Sequence, residues 1–151
     1  MAPIVVSAQR VIDAPAATVY HYIADMREHH AKFLPPAFSG FEVDSGGVGA
    51  GTVTHFTFTA GGRTREFRMT AAEPEPGRVL TESDANSSSV TTFTVDPRGD
   101  SASLVTISTT WQGASGVGGF FERTFAPRAL RGIYADELER LNAYAREQAG
   151  S

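Results

Sequence analysis

The polar residues best placed for chemistry share strand faces with large apolar residues. Glu82 lies two residues from Leu80, Arg65 two from Phe67, and Thr54 two from Phe56. Side chains alternate across a strand, so each pair shares a face. If Leu80 points inward, Glu82 does too, and a half-buried carboxylate acquires a raised pKa suited to proton transfer. If Val79 points inward, Glu82 is solvated. Arg65 reads as a clamp on a polar ligand group or as the solvated end of a strand beside Gly61-Gly62. Tyr134 sits on a helical stretch. It offers a hydroxyl to an interior space, or it lies at a helix edge with a wet tip.

Other chemistries find less support. His29 and His30 are adjacent, so their side chains diverge on a helix, and His21 and His55 are distant in sequence. With no HxH or HxxxH pair and no cysteine, no metal and no cofactor is expected. Ser115 lacks the G-x-S-x-G spacing of a hydrolase nucleophile. The glycine run 113–119 is not followed by the Lys and Ser/Thr of a phosphate loop, and it reads as a hinge beside a cavity entrance. Asp136, Glu137 and Glu139 read as a solvated helix face. The formal net charge of -4 and pI of about 5.5 argue against nucleic acid and against an anionic membrane surface as partners. Neither a signal peptide nor a stretch of about 20 apolar residues is visible, so a cytoplasmic protein is expected.

These side chains need elements to hold them. Ile4 to Ile12 reads as a first strand. Asp13-Ala14-Pro15 then opens a helix, with Asp13 as its cap and Pro15 in the first turn. Asp25, with Glu28 three residues on, marks a second short helix that Pro35-Pro36 stops. From Phe38 to Gly113 the chain reads as antiparallel strands. Gly61-Gly62 makes a two-residue hairpin between Val53–Thr59 and Thr64–Ala72, and further turns fall at Pro76-Gly77, Asn86–Ser88 and Pro97–Asp100. Leu130, Ile133, Tyr134, Leu138, Leu141 and Ala145 then recur at helical spacing. The helix either begins near Pro127 or kinks there. One domain over residues 1–151 is expected.

Large aromatics alternate along the strands, as in Phe56 with Phe58 and Phe67 with Met69. Phe93 and Trp111 add to the same face, and Phe121, Phe125 and Leu130 extend it onto the helical segment. A curved sheet so lined, closed by one helix, leaves a pocket for a small hydrophobic or aromatic ligand, or else packs solid. The segment from Phe33 to Phe38, with its two prolines, and the glycine run 113–119 would form the gate.

The run from Val11 to Tyr20 (VIDAPAATVY) and Ile23-Ala24-Asp25 resembles the opening signature of the START-like, or Bet v 1-like, superfamily (SRPBCC), the polyketide cyclase/dehydrase and lipid-transport proteins. Gly49–Thr52 and Glu73–Leu80 also resemble it, and the likeness covers nearly the whole chain. It implies an α+β helix-grip fold: an antiparallel sheet of about seven strands curved around a long C-terminal helix, two short helices after the first strand, and a cavity between. Many bacterial members carry Trp in the segment after Asp25. Here that segment holds His29, His30 and Phe33, which implies a different ligand shape.

The leading expectation is a carrier or sensor that binds its ligand in the cavity without a cofactor. The alternative is a polyketide cyclase/aromatase or dehydratase, which needs at least two of Arg65, Glu82, Thr54 and Tyr134 to converge inside. A third is a protein-interaction role like that of co-chaperone members, which needs an exposed apolar patch. Oligomeric state stays open.

Overall fold

The structure is a computed structural model, and it describes residues 3–112 and 126–150. β1 (Ile4–Ile12) leads into α1 (Ala16–Ala24) and a short 3-10 turn (His30–Phe33). Six strands follow: β2 (Phe38–Ser45), β3 (Val53–Ala60), β4 (Arg63–Glu75), β5 (Val79–Asp84), β6 (Val90–Arg98) and β7 (Ala102–Trp111). The last described element is α2 (Ala126–Ala149). All seven strands form one antiparallel sheet in the order β1-β7-β6-β5-β4-β3-β2. Five consecutive hairpins build β2 to β7, and β7 then returns to pair with β1, Ile4 opposite Trp111 and Ile12 opposite Ser103. This is the helix-grip arrangement.

The β3–β4 turn shows why the sequence turns where it does. Gly61 and Gly62 have φ of 59° and 76°, the left-handed pair that a two-residue hairpin requires and that side chains resist. Burial alternates along β6 and β7, so Thr91, Phe93 and Val95 face inward with Ser103, Val105, Ile107 and Thr109. On β5 the buried residues are Leu80, Glu82 and Asp84, which settles the parity of that strand.

Two local expectations are corrected. Asp13 does not cap α1, whose N-cap position is Pro15 with no side-chain bond. Its backbone N–H donates instead to Asn142 Oδ1 at 2.8 Å, while Asn142 Nδ2 reaches Asp13 Oδ2 at 3.4 Å. A partner 129 residues away thus claims the local cap. The second short helix is one 3-10 turn. Asp25 is not its cap: the turn starts at His30 with His29 in the N-cap position and no side-chain bond, and Asp25 Oδ1 accepts from the backbone N–H groups of Arg27 and Glu28 in the link after α1.

The core lies between β1, β5–β7, α1 and the C-terminal half of α2. Val6, Ile12, Val19, Ile23, Leu80, Val105 and Ile107 meet Leu138, Leu141 and Ala145, all essentially shielded from water. Tyr20 fastens α1 to β4, its hydroxyl donating to Glu73 Oε2 at 2.7 Å. Among the described residues, no helix is long and apolar enough to cross a membrane.

Leu138 is 1% exposed on the packed face of α2, whereas Glu139 is exposed. Leu138→Asp should abolish cooperative unfolding, because an unpaired buried charge costs several kcal/mol of a marginal total. Glu139→Ala should shift the urea midpoint by less than about 0.5 kcal/mol. Equal effects in the two variants would mean that the helix packs through another face.

Candidate functional site

A cavity of about 800 Å³ lies between the sheet and the N-terminal half of α2. That volume falls within the range of small-molecule sites, roughly 300–1,000 Å³. One wall is aromatic. Phe38 and Phe41 come from β2, Phe56 and Phe58 from β3, and Phe67 from β4, with Met69 beyond it. Their rings pack edge-on and stacked, with centroids 5.3 Å apart for Phe38 and Phe56 and 5.5 Å for Phe56 and Phe67. Such a wall offers a ligand apolar area worth about 25 cal/mol per Å² buried. Ala126, Ala129 and Leu130 of α2 face it, with Trp111 at the end of β7.

Another part of the lining is polar and buried. Glu82 of β5 and Glu137 of α2 are 7% and 2% exposed, and His30 of the 3-10 turn is 3% exposed. Thr91 and Thr109, cross-strand neighbours, share a hydroxyl bond of 2.7 Å, and Thr109 also bonds the Tyr134 hydroxyl. His30 Nδ1 lies 2.7 Å from the Ile23 carbonyl. A carbonyl only accepts, so Nδ1 carries the proton and Nε2 keeps its lone pair. That nitrogen lies 3.8 Å from Glu82 Oε1.

Burial governs the charges here. It pushes Glu82 up to about 7 and pulls His30 down to about 4, so the contact between them is not an ion pair at neutral pH. Glu137 is driven well above the usual carboxylate range, first by burial and then by the nearby Glu82 charge. Burial raises Tyr134 to about 12. Burial thus biases both acids toward their protonated forms and keeps the imidazole neutral.

Of the residues singled out from sequence, Phe38, Phe56, Phe58, Phe67, Met69, Phe93, Trp111 and Leu130 line the cavity, as do Arg65, Glu82 and Tyr134. Arg65 is exposed, at the rim beside Arg63, while Tyr134 is buried and its tip is not wet. Two residues are placed elsewhere. Phe33 is fully buried in the core, its ring against His30 and near Tyr144, so it forms no gate. Thr54 is buried opposite Met69 and does not line the cavity. Phe121, Phe125, Ser115 and the glycine run 113–119 lie outside the described residues.

Sequence reasoning missed several residues. Glu137 belongs to the buried face and not to the solvated one, and its spacing shows it: three after Tyr134 and four before Leu141. Thr91 and Thr109 share the parity of Phe93 and Ile107. Phe41 escaped because β2 is irregular between Ser39 and Glu42, which breaks simple alternation. His30 was flagged only through the family resemblance, as part of the segment after Asp25, and not as a lining residue.

The histidines also pair in a way that spacing did not suggest. His21, Asp25 and His29 each bring a ligand-capable atom within 4.8 Å of the others on the outer side of α1. Asp25 Oδ1 already accepts two backbone N–H bonds, and His29 Nδ1 is bonded to the Tyr144 hydroxyl at 2.6 Å.

The two shifts oppose each other in their effect on stability. The fold prefers Glu82 protonated, so stability falls as pH rises from 4.5, its ordinary value, to about 7. The fold prefers His30 neutral, so stability falls as pH drops from 6.5 toward 4. Above about pH 6.5 only the carboxyl penalty still grows. Glu82→Gln should therefore gain stability relative to wild type between about pH 5 and pH 8, by up to roughly 3 kcal/mol, read from urea midpoints. A pH-independent difference would count against the buried carboxyl.

No curated protein matches the chain. Among solved structures, the KanY protein is similar at 38% identity, with 97% of this chain and 99% of that chain covered and a TM-score of 0.85. TTHA0849 from Thermus thermophilus shares the fold at 18% identity, with 95% and 98% covered and a TM-score of 0.81. The Zhui aromatase/cyclase from Streptomyces sp. R1128 shares it at 13% identity, with 98% and 96% covered and a TM-score of 0.81. The family model described as polyketide cyclase / dehydrase and lipid transport matches residues 3–146, and the chain belongs to that family.

Proposed function

We propose that this protein is a cytoplasmic carrier or sensor that binds a small hydrophobic or aromatic molecule between its sheet and α2. The observation that carries the reading is the cavity of about 800 Å³ with its phenylalanine wall. A wall of that kind holds a flat apolar body by area and ring stacking without fixing its identity. The family supports the reading, since its description includes lipid transport.

One observation favours a second reading, that of a cyclase or dehydratase. Glu82 and Tyr134 do converge on the cavity, with Glu137 beside them. A carboxylic acid kept neutral in an apolar site can donate to a carbonyl oxygen. The interaction reading has less to rest on. Among the described residues, the exposed large apolar side chains are Val5, Val11 and Val48.

Trp111 is the only tryptophan and lines the cavity, so it reports on a guest. The neutral dye N-phenylnaphthylamine should saturably quench Trp111 and brighten on binding. Phe67→Ser, at a half-buried wall position, should weaken it by about tenfold, and Val11→Ser on the outer face should leave it unchanged. No saturable quenching, or equal binding by the two variants, would overturn the reading.

A further inference from the structure

Among the described residues, three buried side-chain oxygens lack a hydrogen-bond partner: Glu82 Oε1, Glu137 Oε2 and Ser103 Oγ. Two of the three belong to carboxyls that line the cavity. Buried polar atoms are normally paired, and an unpaired carboxylate is among the most costly exceptions. The neighbouring polar atom has the same character. His30 Nε2 presents a lone pair, because Nδ1 spends its proton on the Ile23 carbonyl. This part of the lining is therefore rich in acceptors. Among the described residues, the cationic side chains that line the cavity are Arg63 and Arg65, exposed near the β3–β4 turn, and neither makes an ion pair with the two acids.

We propose that the cavity selects amine-bearing ligands, with a protonated primary or secondary amine lodged between Glu82 and Glu137 and an apolar or aromatic body laid along the phenylalanine wall. The inference rests on the cavity being a ligand site and adds the chemical class. An ammonium carries a positive charge and up to three N–H donors, which matches two unpartnered carboxyl oxygens and the His30 lone pair. An alcohol supplies one donor and no charge. A ligand carboxylate would bring an anion into a buried region where no described residue supplies a cation. Without a cation, burial favours the protonated forms of both acids. Arrival of an ammonium favours the carboxylate forms, so binding releases protons to the buffer.

Calorimetric titration of the full chain with naphthylethylamine, naphthylethanol and naphthylacetate at neutral pH separates the possibilities. The amine should bind about tenfold or more tighter than the alcohol, and the carboxylate more weakly still. Titration in two buffers of different ionisation enthalpy should show protons released with the amine and not with the alcohol. Glu82→Gln and Glu137→Gln should each bring amine and alcohol to within about threefold, while Asp136→Asn on the outer face should preserve the preference. If the alcohol binds as well as the amine, or the carboxylate binds best through Arg63 and Arg65, the amine inference is overturned and the ligand-binding reading stands. If none of the three binds, both are overturned. Should a Gln variant fail to fold, the wild-type ranking and its proton release still decide the matter.

Discussion

The two halves of α2 meet the rest of the fold differently. Leu138, Leu141 and Ala145, in the C-terminal half, are 1% exposed and share a core with β1, β5–β7, α1 and Phe33. Ala126, Ala129, Leu130, Tyr134 and Glu137, in the N-terminal half, line open volume. Burying a large apolar side chain is worth about 1.5–3 kcal/mol, so the C-terminal half anchors the helix. The N-terminal half is held at its root and need not collapse onto the strands. The cavity follows from that division. So does its aromatic wall, since β2, β3 and β4 supply rings to a space that the helix does not fill.

Glu137 stands at the boundary between the two regimes. It occupies the first turn N-terminal to the packed segment, one residue before Leu138, and is as buried as the core around it. Glu82 faces it from β5, two residues past fully buried Leu80. Apolar residues at both positions would be expected to serve stability better, because desolvating two acids costs free energy that no cation among the described residues offsets. The polar chain of Thr91, Thr109 and Tyr134 is satisfied by its own hydroxyls, whereas each acid leaves one oxygen unpaired. Among the described residues, then, unsatisfied polarity gathers mainly where a guest would lie. That is where a fold that trades stability for binding concentrates its strain.

Much of the architecture was legible in particular residues. Alternation on β3, β4, β6 and β7 fixed the face of Phe56, Phe67, Phe93 and Ile107, because side-chain period is a property of the strand itself. Gly61-Gly62 fixed a hairpin, since few other residues adopt that backbone. The spacing from Leu130 to Ala145 fixed the buried stripe of α2. Legibility failed where a distant partner overrode a local signal. Asp13 reads as a helix cap until Asn142 is placed beside it. Phe33 reads as a gate until the 3-10 turn carries it into the core. Phe41 reads as off the pattern until the irregularity in β2 restores it to the wall.

What the sequence determined by itself was whatever depends on neighbours a few residues away: strand and helix periods, the turns, and the pairing of each polar residue with an apolar one on its own face; the helix-grip fold came from the resemblance to a family. The parity of β5 was not among them, since Val79 and Leu80 are both apolar and either could have faced inward. Only the assembled sheet placed Leu80, and with it Glu82, on the inside. Only the docking of α2 set Glu137 across from Glu82, and only the closing of the 3-10 turn brought His30 to the same place. These encounters join residues tens of positions apart, and their energies come from desolvation, which exists only once the surrounding atoms have excluded water.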